Sequence, residues 1–239
     1  MSRCFLWDLV ETMAKVMAGE TRIDAVVFDC DGLMFNTELV FERTGTELLR
    51  RRGHVATPEL FVQMMGRRAD EAFAAMVNMY QLADPIPELM AESEQIFFSL
   101  LDDYLEPMPG LLTLLNAIES YGLPKGVATS SPRRFLMNLL GRYELEPRFS
   151  VTMTAEDVSQ GKPHPEIYLS VAQRLGVAPE RMLVLEDSEN GTRSAAAAGA
   201  HVISVPHEHS RHHDFSVASG VAERLDSKLI LDLIHREIN

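Results

Sequence analysis

The 239 residues suffice for one ordinary domain carrying an insertion, or for two modest domains, and a hydrophobic content of 46% can fill a core. A formal net charge of -13 excludes a generally basic nucleic-acid surface, so an anionic substrate requires locally placed cations or a metal. Cys4 and Cys30 are too few for a disulfide framework or a four-ligand zinc site, and they suit a reducing compartment, with the cytoplasm the simple expectation.

The opening segment carries Phe5, Leu6, Leu9, Val10, Met13 and Val16, interrupted by Asp8, Glu11 and Lys15. That pattern predicts an amphipathic helical extension over residues 1–23, not a signal peptide. No stretch approaches the roughly 20 apolar residues a membrane helix requires. Ala25 to Phe28 reads as a short buried strand ending at a charged turn. From Thr37 to Leu105 only helical periodicity is visible: Phe41 with Leu48 and Leu49, then Leu60, Phe61, Met64 and Met65, then Phe73, Met76, Val77 and Tyr80, then Ile96, Phe97, Leu100, Leu101 and Tyr104. Thr57 before Pro58 marks a helix start, and Pro107, Pro109 and Gly110 end the helical region.

Three further strand-like runs follow, Gly126 to Thr129, Met182 to Leu185 and His201 to Val205, separated by helical patterns. A last amphipathic helix is expected over Asp226 to Ile238. The alternation predicts an α/β fold with a Rossmann-like parallel sheet, interrupted after its first strand by an α-helical cap. The expected divisions are 1–23 for the extension, 24–36 and 106–239 for the α/β core, and 37–105 for the cap.

Ligands of open α/β sheets bind outside the carboxyl ends of the strands. Here those ends are polar: Asp29, Cys30, Asp31 and Gly32 after the first strand; Thr129, Ser130 and Ser131 after the second; Glu186, Asp187 and Ser188 after Met182 to Leu185. Lys162 precedes Pro163 at a helix start. An isolated Asp-x-Asp is weak evidence, because acidic residues are common in turns. Unrelated caps, however, have no reason to assemble at separate strand ends into a set suited to phosphoryl transfer.

With Asp-Cys-Asp-Gly after a strand, then Thr129, Lys162 and the Glu186-Asp187 pair in that order, the sequence resembles the haloacid dehalogenase-like hydrolase superfamily from Ala25 to about Pro206. Gly32 to Glu38, Gly161-Lys162-Pro163 and Leu185 to Ser188 extend the resemblance to the branch holding β-phosphoglucomutase and pseudouridine-5'-phosphatase. The resemblance implies Asp29 as nucleophile and Asp31 as the acid that protonates the leaving oxygen and later deprotonates water. It implies Mg2+ held by the Asp29 carboxylate, the Asp31 carbonyl, Asp187 and Glu186, because acidic groups crowded in one cleft need a hard cation. Lys162 offsets phosphate charge, and Thr129, Ser130 and the start of the helix after Ser131-Pro132, read as its N-cap and first position, are expected at the phosphate. Arg67 and Arg68 in the cap are candidate substrate contacts.

The expected partner is a small phosphorylated metabolite, a sugar phosphate or a nucleoside or pseudouridine phosphate, with no nucleic acid and no membrane, acted on by a monomer or homodimer. A β-phosphoglucomutase-like mutase is the alternative. In the mutases a histidine stands four residues beyond the threonine of the Thr37-Glu38 motif; here that position is Phe41, which favours hydrolysis. A catalytically silent phosphometabolite-binding module is the third reading, opposed by the intact acidic, hydroxyl and lysine positions. Thr37 to Leu105 contains no lysine for phosphonate hydrolysis through a Schiff base, and Asp31 with the acidic pair sets dehalogenation aside. The cluster His207, His209, His212 and His213 is expected to be a solvated loop.

Overall fold

The computed structural model describes residues 22–64 and 69–235. The predicted N-terminal helix falls outside them, except for its last residues. Ala25–Phe28 forms β1, four consecutive buried apolar residues, as a parallel strand covered on both faces requires. Four helices follow: α1 (Thr37–Arg50), α2 (Pro58–Met64), α3 (Ala69–Tyr80) and α4 (Ile86–Tyr104). The chain then continues through α5 (Leu111–Ser120), β2 (Lys125–Ala128), α6 (Arg133–Arg142), β3 (Val151–Met153), α7 (Glu166–Leu175), β4 (Met182–Glu186), α8 (Glu189–Ala197), β5 (His201–Ser204), β6 (Gly220–Val221) and α9 (Lys228–Ile234). No described helix is long and apolar enough to cross a membrane.

All strand pairings are parallel, in the order β3-β2-β1-β4-β5-β6. From β1 the chain builds outward through β2 and β3, then returns to lay β4, β5 and β6 on the other side. The reversal falls between β1 and β4, where open α/β sheets open a crevice at their carboxyl ends. Phe28 lies opposite Leu185, so Asp29, just past β1, and Glu186, the last residue of β4, stand side by side. Against one face of the sheet, Ile167, Tyr168, Val171 and Ala172 of α7 pack with Val27, Ala128, Val184 and Val202. These four residues share the buried stripe of an amphipathic helix, and their removal from water is the main local stabilisation.

Residues Met34–Met108 form a compact unit of their own. Its core joins Leu48 and Leu49 of α1, Leu60 of α2, Met76 of α3, and Leu89 and Ile96 of α4. The two ends of this unit are tied to each other. Asn36 donates its backbone N–H to the Glu106 carbonyl at 3.1 Å and its Nδ2 to the Tyr104 carbonyl at 3.1 Å, while Oδ1 accepts the Glu106 N–H at 2.7 Å. Arg52, just beyond α1, bridges Asp84 and Glu92 at 2.8 and 2.7 Å.

Three local expectations are corrected. β3 and β6 were not foreseen; they span three and two residues, too few for the alternation of a strand to show. Helix α6 starts at Arg133 with Pro132 at the cap position and no side-chain cap, because the Ser131 hydroxyl is directed to Asp31 instead. The last helix begins at Lys228, where the Ser227 hydroxyl accepts the Ile230 N–H, two residues later than expected.

Candidate active site

Gly32, with φ at 76°, lets the chain turn immediately after Asp31, a conformation that side chains beyond glycine adopt at a cost. The turn leaves Asp29 and Asp31 at the end of β1, beside Thr129 after β2 and Glu186-Asp187 at the end of β4. Asp29, Thr129, Glu186 and Asp187 are all buried. Ser130 is exposed at the end of β2. Arg67 and Arg68 lie outside the described residues.

Lys162 reaches this group from the segment preceding α7. Its ammonium lies 2.5 Å from Asp29 Oδ1, 2.6 Å from Glu186 Oε1 and 2.9 Å from the Ala128 carbonyl, one acceptor for each of its three protons. Glu186 is held from several sides. Tyr168 donates its hydroxyl to Oε1 at 2.5 Å and Ser188 donates its hydroxyl to Oε2 at 3.1 Å. The Ser188 oxygen in turn accepts the Gly191 N–H and caps α8.

Asp31 is held differently. Its Oδ2 accepts the Thr129 and Ser131 hydroxyls, each at 2.8 Å, while its Oδ1 is buried without a hydrogen-bond partner. Thr129 also accepts the Ser131 N–H at 2.9 Å. In this arrangement the single Thr129 hydroxyl proton is directed to Asp31, where the sequence suggested a phosphate oxygen.

Charge in the cluster is unbalanced. Carboxylate oxygens of Asp29, Glu186 and Asp187 lie within 4.8 Å of one another. Burial, reinforced by Glu186, Asp187 and Asp31, pushes the Asp29 carboxyl well above its usual range despite the opposing Lys162 charge. Burial and then Glu186 do the same to Asp187. Burial alone would lower Lys162, but Asp29 and Glu186 override it and hold the ammonium charged. Asp29, Glu186 and Asp187 facing one ammonium carry a formal excess of two negative charges, and all three offer carboxylate oxygens as ligands. This donor set fits a hard divalent cation such as Mg2+. Glu186 is the most heavily engaged of the three by donors of the protein itself.

The His-rich loop is not simply solvated. His207 places Nε2 2.9 Å from Asp187 Oδ2, and His213 Nδ1 accepts the Glu189 N–H at 3.3 Å. The loop therefore lies along the end of β4 and the start of α8. Tyr168 was legible only as a core residue of α7. The available signal was its hydroxyl, since a tyrosine on a fully apolar helix stripe needs a buried acceptor. His207 had a weaker signal, its position just beyond the strand that neighbours β4.

The chain belongs to the haloacid dehalogenase-like hydrolases, whose family model matches residues 26–205. Within that family it is a phosphoric monoester hydrolase of the β-phosphoglucomutase-like branch. It is 30% identical over 177 residues to a phosphorylated carbohydrates phosphatase of Thermotoga maritima, covering 74% of this chain and 82% of the relative. It is 29% identical over 196 residues to hexitol phosphatase B of Escherichia coli K12, covering 80% and 86% respectively. Among solved structures, a presumed β-phosphoglucomutase of Thermotoga maritima superposes with a TM-score of 0.77 at 28% identity, covering 89% of this chain and 98% of that one.

Proposed function

We propose that this enzyme is a Mg2+-dependent phosphatase that transfers phosphate from a small phosphorylated carbohydrate to Asp29 and then to water. The observation that carries the reading is the placement of Asp29 against Lys162, with Glu186 and Asp187 beside it and two negative charges in excess. Asp29, Asp187 and Glu186, with the Asp31 backbone carbonyl, would hold the cation, which supplies positive charge against the phosphate and the carboxylates. The similarity to phosphatases of phosphorylated carbohydrates and hexitols supports the substrate class.

In the first half-reaction a carboxylate oxygen of Asp29 forms a bond to phosphorus as the bond from phosphorus to the leaving oxygen breaks. Protonated Asp31 gives its proton to that oxygen, so the product departs as an alcohol. In the second, Asp31 takes a proton from water, the water oxygen attacks phosphorus, and the Asp29 carboxylate is released with inorganic phosphate. The two hydroxyls on Asp31 Oδ2 fix the side chain and leave Oδ1 as the oxygen available to carry the proton. Lys162 keeps Asp29 oriented and offsets charge in its neighbourhood.

Hydrolysis, in preference to phosphomutase chemistry, is supported by Phe41. It stacks on Phe97 with ring centroids 4.5 Å apart and offers no acid or base at that position. The test is phosphate release with and without Mg2+ from p-nitrophenyl phosphate and from a panel of sugar phosphates, polyol phosphates, nucleotides and pseudouridine 5'-phosphate. Release by the parent and none by Asp29→Asn is expected. Equal, negligible release by both across the panel would return the chain to a silent binding module. Conversion of β-glucose 1-phosphate to glucose 6-phosphate with little free phosphate would make it a mutase.

A further inference from the structure

Beyond β5 the chain closes a small turn on itself. The Ser210 hydroxyl accepts the His207 N–H at 3.1 Å, and the Ser210 N–H donates to the His207 carbonyl at 3.0 Å. Ser210 is buried, and β5 pairs directly with β4, so this turn fixes the His207 backbone next to the Asp187 strand end.

The two ring nitrogens of His207 meet different partners. Nδ1 faces the His209 backbone N–H at 3.3 Å and must act as acceptor there. The ring proton consequently resides on Nε2, the nitrogen 2.9 Å from Asp187 Oδ2. With only 13% of its side chain exposed, the imidazole has little freedom to turn away.

We propose that His207 is a positioning residue for Asp187: its Nε2–H donates to Oδ2, fixes the rotation of the carboxylate and leaves the other oxygen for the cation. This rests on the Mg2+ reading above. A carboxylate held by one donor loses less rotational freedom on binding a metal than an unrestrained one, and it presents one oxygen in a set direction. The role assigned to His207 is therefore to tune cation affinity, without touching phosphate or the reacting atoms.

The test uses the full chain without substrate. Mn2+ affinity is measured by electron paramagnetic resonance, and Mg2+ by competition, for the parent, His207→Leu, His207→Gln and Asp187→Asn. A glutamine amide can place an N–H where Nε2–H stands; leucine cannot. His207→Leu is expected to weaken Mn2+ binding about 10-fold, with His207→Gln restored to within about 3-fold of the parent. Nitrogen-15 NMR of the parent is expected to show the His207 proton on Nε2. That measurement stands even if the leucine variant folds poorly. Undiminished Mn2+ binding by folded His207→Leu, or a proton found on Nδ1, overturns the role of His207 alone. Failure of the parent itself to bind Mn2+ removes the cation reading, and this role with it.

Discussion

Gly191 stands so close to the Glu186 carboxylate that a Cβ at position 191 would overlap both its oxygens. Glu186 cannot yield easily, because Lys162, Tyr168 and Ser188 hold it from other directions. The absence of a side chain at this point of α8 is therefore a condition for burying the carboxylate at the end of β4. Gly191→Ala is expected to destabilise the fold by about 1–3 kcal/mol, as overpacking of a filled site does, and to lower activity. Urea unfolding and phosphate release would check both. Unchanged stability would mean that Glu186 has another position open to it.

Thr129 and Ser131 donate to the same oxygen of Asp31. Thr129→Val removes one donor and also the acceptor of the Ser131 N–H, so it is expected to be more damaging than Ser131→Ala. We expect kcat to fall about 10- to 100-fold in Thr129→Val, no more than the lower end of a general acid–base contribution because Asp31 itself is kept, and less in Ser131→Ala. Because the two hydroxyls share one acceptor, their effects should not add. Strict additivity in the double variant would separate the two roles.

The crowding of Asp29 and Asp187 ties stability to both pH and metal. Burial raises their folded-state pKa above the ordinary 3.8. Such groups favour the folded state fully below that ordinary value and lose the advantage as pH rises through the raised one. In chelator at pH 7, Asp187→Asn, which removes one of the crowded buried charges, is therefore expected to be more stable than the parent, read as a higher Tm. The advantage should shrink as pH falls toward 4 and vanish on adding Mg2+ to the parent. A lower Tm for Asp187→Asn at pH 7 in chelator would contradict this account.

Away from the site, Lys125 is buried in β2 and ends on Glu119, which Arg148 also contacts at 2.7 Å. Arg148 first, then Lys125, hold the Glu119 carboxyl down at about 2 against the opposing effect of burial. Glu119 is partly exposed, so the charge pair itself contributes little; the larger cost of Glu119→Gln is a buried ammonium left without a carboxylate, about 1–2 kcal/mol. Replacing both ends as Glu119→Gln with Lys125→Met should recover most of it. A depressed carboxyl contributes above its ordinary 4.5 and loses that contribution as pH falls through about 2, so the single variant should match the parent near pH 2. Denaturant titrations at both pH values measure the difference.

The acidic and hydroxyl residues of the candidate site were legible because strand ends are local features: an apolar run followed by a polar turn marks β1, β2 and β4 without knowledge of any other element, whereas Lys162, on the segment before α7, stood out only through the family resemblance. The helical insertion was legible for the same reason, through a periodicity that persists over four helices. What neighbours what was decided only in three dimensions. The pairing of β4 with both β1 and β5 brings His207 to Asp187, and the packing of α7 against the sheet brings Tyr168 to Glu186. Likewise the Thr129 hydroxyl meets Asp31 across 98 residues of chain. A sequence pattern records which face of an element is apolar, but a single hydroxyl or ring N–H finds its acceptor through the register of strands and the rotation of helices. Those follow from how the whole core packs.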